Sequence, residues 1–103
     1  MPPVRPHLKT VQGEPSWCFA SNRVEACLTR TGGNLAPVTF HTPGGPVQPF
    51  AIAPWAGEQM PTGAHKVLRM LRGDFFCAPF GGSSETLHGK SQPLHGETAT
   101  ARW

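Results

Sequence analysis

The sequence predicts a mainly β protein, built from short antiparallel strands with one short helix. Glycine and proline number 12 each among 103 residues, so turns recur often and the elements between them are short. Residues 23–30 (RVEACLTR) alternate with a period of two, placing Val24, Ala26 and Leu28 on one side and Glu25, Cys27 and Thr29 on the other. A single segment, 64–72 (AHKVLRMLR), repeats apolar positions at helical spacing. A chain of this length forms one domain with a modest core.

In chain order, residues 1–15 are expected as an extended N-terminal arm, because Pro2, Pro3 and Pro6 deny a helix its hydrogen bonds. Residues 16–103 form the domain. SWCFA (16–20) has strand composition, Ser21-Asn22 a turn, and 23–30 a strand paired with it. A second turn at 31–34 (TGGN) leads into strand 35–41, where Pro37 requires an edge or a bulge. Residues 42–49 read as loop, 50–55 as a brief extended piece and 57–63 as polar connection. The helix over 64–72 ends at Gly73, with arginines in its last turn suiting the helix dipole. Phe75, Phe76 and Phe80 are expected in the core, 81–84 (GGSS) as a tight turn, and 86–95 as polar loop. Residues 96–103 (GETATARW) alternate as another strand, and the chain closes on an apolar Trp103 with no turn after it. That ending predicts a domain truncated at its C-terminus, with unpaired strands open to self-association.

Nine Lys and Arg against six Asp and Glu give a formal charge of +3, scattered along the chain. The one cluster, Lys66, Arg69 and Arg72, is expected as a solvated helix face. Without a denser basic stripe, and with no tyrosine to stack bases, nucleic acid is not an expected partner. No apolar run reaches membrane-spanning length and no secretory leader is recognisable, so a cytoplasmic protein with reduced cysteines is expected. Cys18 and Cys27 could face each other across the first hairpin, but buried thiols are the preferred expectation. Cys77, among phenylalanines, reads as core filler.

The C-terminal third holds most of the groups able to do chemistry. APFGG, then PLHGE and the closing RW, together with TRTGGNLAPVTF upstream, resemble the amino-terminal portion of the aldose 1-epimerase (galactose mutarotase-like) superfamily. The resemblance spans roughly residues 16–103 and implies part of an antiparallel β-sandwich of the galactose mutarotase-like type. It further implies interconversion of hexose anomers, with a carbohydrate as partner and no cofactor. That reaction moves one proton onto the ring oxygen and takes another from the anomeric hydroxyl, work suited to a histidine and a carboxylate. His95 of PLHGE would be the catalytic and substrate-facing histidine. Glu97 would share its face if both stood on a strand, and His88 and Trp103 complete the expected substrate contacts. The family's Asn-Arg pair is replaced here by 81–85 (GGSSE), and its second histidine and base would lie beyond this portion. A non-catalytic carbohydrate-binding module is therefore the alternative. Trp55 and Trp103 offer aromatic faces for the apolar side of a sugar ring, although packing alone also explains them. His88, His95 and Glu97 do not supply four convergent ligands, and no metal is expected.

Overall fold

A computed structural model describes residues 5–78, 86–91 and 95–103. The protein is mainly β, as expected. Five strands, β1 (His7–Val11), β2 (Glu14–Ala20), β3 (Val24–Thr29), β4 (Leu35–Thr42) and β5 (Gly45–Val47), form one antiparallel meander in sequential order. They are followed by a five-residue helix α1 (Lys66–Met70), a two-stranded ladder of β6 (Thr86–Leu87) and β7 (Lys90–Ser91), and a 3-10 turn at Thr98–Thr100.

The expected N-terminal arm is extended through His7–Val11, but it is paired: β1 is an edge strand, in register with β2 from His7↔Cys18 to Val11↔Glu14. Gln12 and Gly13 both have positive φ, 50° and 80°, the conformation that closes a two-residue hairpin without splaying its strands. The expected loop at 42–49 likewise contains β5, which pairs Thr42↔Gly45 and Phe40↔Val47. Pro37 lies at a bulge, one of the two placements expected for it. The ladder steps from Ala26↔Val38 to Leu28↔Leu35, so two residues of β4 oppose Cys27.

The alternation of β3 is present, but the side expected to be polar is the better buried. Ser16 and Thr29 are fully buried, with Cys18 and Cys27 nearly so. Their registers, Ser16↔Thr29 and Cys18↔Cys27, put all four on one face. The two cysteines are joined as a disulfide, correcting the expectation of free thiols, and Cys77 is the remaining, half-buried thiol. Thr29 is accommodated because its hydroxyl donates to the Thr31 carbonyl at 2.7 Å and accepts from the Asn34 amide at 2.8 Å. The opposite face stays open: Leu8, Phe19, Phe40 and Val47 are 43, 37, 44 and 49% exposed.

The helix is shorter than expected. It buries Val67 and Met70 against Ala99, with Leu68 alongside. His65 caps it, its Nδ1 accepting from the Val67 amide at 3.2 Å. Arg72, expected on a solvated helix face, lies past the helix end and is the largest fully buried side chain, at 2% exposure. Its Nε donates to the Met70 carbonyl at 3.0 Å, and its two terminal nitrogens donate to the carbonyls of Val11 at 2.9 Å and Gln12 at 3.2 Å. The guanidinium thus ties the β1–β2 turn to the helix. Burial lowers its pKa from the ordinary value, with nearby Glu14 acting in the opposite direction. Glu14 is itself buried and meets Arg69 at 3.3 Å.

Residues 96–103 do not make the expected strand. The Thr98 hydroxyl donates to the Phe76 carbonyl at 2.7 Å and accepts from the Ala78 amide at 3.1 Å, and the backbone winds into one 3-10 turn. The stretch pairs only through isolated bridges, Gly96 with Ala78 and Arg102 with Thr31. Phe76, expected in the core, is 60% exposed, whereas Phe75 is half-buried. Phe80 and the expected 81–84 turn lie outside the described residues.

Candidate functional site

The residues singled out in the sequence do not converge on one site. His95 has φ 62°, so it occupies a left-handed turn rather than a strand, and Gly96 follows at 78°. Its ring is held edge-on by Phe75, with centroids 5.2 Å apart and planes at 87°. Gly96 forms a bridge with Ala78, and the Glu97 amide donates to the Ala78 carbonyl at 2.7 Å. The shared strand face that would have aligned Glu97 with His95 is therefore absent, and the Glu97 side chain is exposed. His88 occupies the exposed β6–β7 turn, with φ 50°. Among the described residues no three His, Cys, Asp or Glu side chains gather as metal ligands.

Trp103 is placed differently. Its amide donates to the Arg30 carbonyl at 2.6 Å, carrying the end of the chain alongside the β3–β4 turn. Its carbonyl accepts from the indole of Trp17 at 3.0 Å, and its own indole donates to the Thr98 carbonyl at 3.4 Å. Both indoles are thus oriented by a hydrogen bond. Gly33, with φ 58°, lets the backbone pass beneath the Trp103 ring: a Cβ there would stand 2.7 Å from Cε2.

The result is an apolar groove on the open face of the sheet. Trp17 and Phe19 come from β2, Leu28 from β3, Pro6 from the segment before β1, and Trp103 from the C-terminal segment. The groove measures about 400 Å³. Trp17 pairs with Leu28 in the ladder, which fixes the floor, while Trp103 is 47% exposed and forms a wall. All five described lining residues are apolar, so they can hold a flat apolar surface, and none of them has a side chain suited to proton transfer. Of the expected substrate-facing residues His88, His95, Glu97 and Trp103, Trp103 alone is among its described lining residues. Trp17 and Phe19 were visible as part of a strand, and their i, i+2 spacing put them on one face. Nothing local revealed that Trp103 would return to them across 86 positions.

Trp55 is engaged elsewhere: its indole donates to the Leu68 carbonyl at 2.7 Å, bracing the helix. No protein-family model, no curated protein and no solved structure matches the chain.

Proposed function

We propose that this chain is a non-catalytic carbohydrate-binding β domain, which takes the apolar face of a hexose or hexose derivative between Trp17 and Trp103. The observation that carries this reading is the groove itself, with two indoles held in fixed orientation around an apolar floor. A pyranose presents C–H bonds on one face, and such a face stacks on an aromatic ring while its hydroxyls stay in water. With no polar side chain among the described lining residues, recognition is of ring shape rather than of hydroxyl pattern. Binding in the millimolar range, about −4 kcal/mol, and broad sugar preference follow. The test is calorimetric titration with methyl glucosides and galactosides. Trp103→Ala should weaken binding about 2- to 10-fold, corresponding to about 0.5–1.5 kcal/mol for an aromatic stack. Equal heats for the variant and the parent would defeat the assignment.

Anomeric interconversion of a hexose, with His95 as the acid–base group, is the second reading, favoured by the half-buried imidazole oriented by Phe75. It requires a second proton-transfer group held opposite, and Glu97, turned to solvent, does not supply one. A cytoplasmic location is proposed alongside the binding role. Among the described residues no helix is long and apolar enough to cross a membrane. In that compartment a Cys18–Cys27 bond would be transient.

A further inference from the structure

We propose that Cys18 and Cys27 form a reversible thiol–disulfide site, reacting with small anionic disulfides and thiols of the glutathione class, and that its state sets the geometry of the aromatic groove. The pair lies directly opposed in the β2–β3 ladder, with Cα atoms 4.2 Å apart, the close approach of a non-hydrogen-bonded pair. The bond spans a sequence separation of nine between strands that the ladder already pairs. Closing so short a loop constrains the unfolded chain less than a long cross-link would. Register, not the bond, holds these strands together, which leaves the bond free to open and close.

Both cysteines line a surface pocket of about 170 Å³ on the face opposite the groove, and Cys27 is the more exposed, at 8% against 3% for Cys18. His7 pairs with Cys18 and shares its face, and Lys9 follows two residues along the same edge strand. Both line the pocket. Glu25 also lines the pocket, its carboxylate bonded to His41 at 2.8 Å, and the Lys9 ammonium supplies the positive charge that attracts a reagent bearing carboxylates. In the forward direction the Cys27 thiolate attacks one sulfur of a disulfide RSSR, forming a mixed disulfide and releasing RS⁻. The Cys18 thiolate then attacks the Cys27 sulfur, forming the Cys18–Cys27 bond and releasing a second RS⁻. In sum, two protein thiols and one RSSR give one protein disulfide and two RSH.

Coupling to the groove follows from alternation along the strands. Trp17 and Phe19 flank Cys18 in β2, and Leu28 follows Cys27 in β3, all pointing to the opposite face. Tightening the ladder at the cysteines moves the groove floor. This inference does not depend on which ligand the groove takes, and its test uses none.

The full chain is equilibrated in a series of reduced-to-oxidised glutathione ratios, quenched with acid, and alkylated for mass spectrometry. The expected result is loss of alkylation at Cys18 and Cys27 together as the buffer becomes oxidising, full recovery on reversal, and Cys77 alkylated throughout. Tryptophan emission should change in step, and Cys18→Ser should abolish that change. Lys9→Glu should slow bond formation by oxidised glutathione several-fold. Cys18 and Cys27 remaining alkylatable in the most oxidising buffer would overturn the proposal. So would a bond that opens only under denaturant, or tryptophan emission indifferent to the bond. An unchanged rate in Lys9→Glu would overturn the assignment of this pocket as the point of attack.

Discussion

At the residue scale, two residues illustrate how the structure is fixed, and neither is a conventional core residue. Arg72 satisfies the carbonyls of Val11, Gln12 and Met70 from a buried position. Replacing it with alanine strips those acceptors of their partner, while Glu14 keeps its contact with Arg69. The expected loss is about 1–3 kcal/mol from buried carbonyls left without a donor, read as a lowered midpoint in urea unfolding. Arg72→Lys should recover only part of it, because an ammonium cannot present the same fork of donors. Gly33 acts by absence of a side chain. Alanine there must hold a positive φ, a cost of about 1–2 kcal/mol, and its Cβ would strike the Trp103 ring. Gly33→Ala should therefore shift the Trp103 indole resonance and weaken groove binding, while leaving the Trp55 resonance in place. Neither role was legible from the sequence. Arg72 shares helical spacing with Lys66 and Arg69, and only the end of α1 at Met70 separates its environment from theirs. Gly33 was visible as a turn residue, but its neighbour comes from the far end of the chain.

At the element scale, period-two alternation located β3, whose two faces are unlike, while strand composition and the flanking turns marked β2 and β4. It could not say which face would be covered, and the small Ser, Thr and Cys side chains turned inward. β1 was missed because Pro2, Pro3 and Pro6 argued only for an extended arm. The structure absorbs Pro15 within β2, opposite Thr10, and its carbonyl accepts from the Arg30 amide at 2.8 Å. The C-terminal stretch failed in the other direction. GETATARW alternates well, yet local hydrogen bonds of Thr98 outcompete the ladder and wind the backbone. That difference decides the fate of the expected site. On a strand, His95 and Glu97 would have shared a face; in a left-handed turn followed by a 3-10 turn, they do not.

At the scale of the whole molecule, the described residues leave one face of the sheet largely open. The radius of gyration is 15.7 Å, against about 13 Å for a compact chain of this length. Leu8, Phe19, Phe40 and Val47 remain 37–49% exposed on the groove face, and β1 and β5 form its two edges. A surface of this kind associates through unpaired strands and apolar contacts. Sedimentation velocity should show an average mass that rises with concentration, with Phe40→Glu reducing the rise; a constant monomer mass would contradict this. The groove on the same face is the centre of the functional account, and the chain's three tryptophans provide their own control. Trp17 and Trp103 line the groove, whereas Trp55 is bonded to Leu68 away from it. The most direct measurement is titration of the isotope-labelled chain with a methyl hexoside, following the three indole N–H resonances by nuclear magnetic resonance. Saturable shifts of the Trp17 and Trp103 signals, with Trp55 unmoved, are the predicted result. No saturable shift at either groove indole, or a response confined to Trp55, would contradict the proposed carbohydrate-binding function.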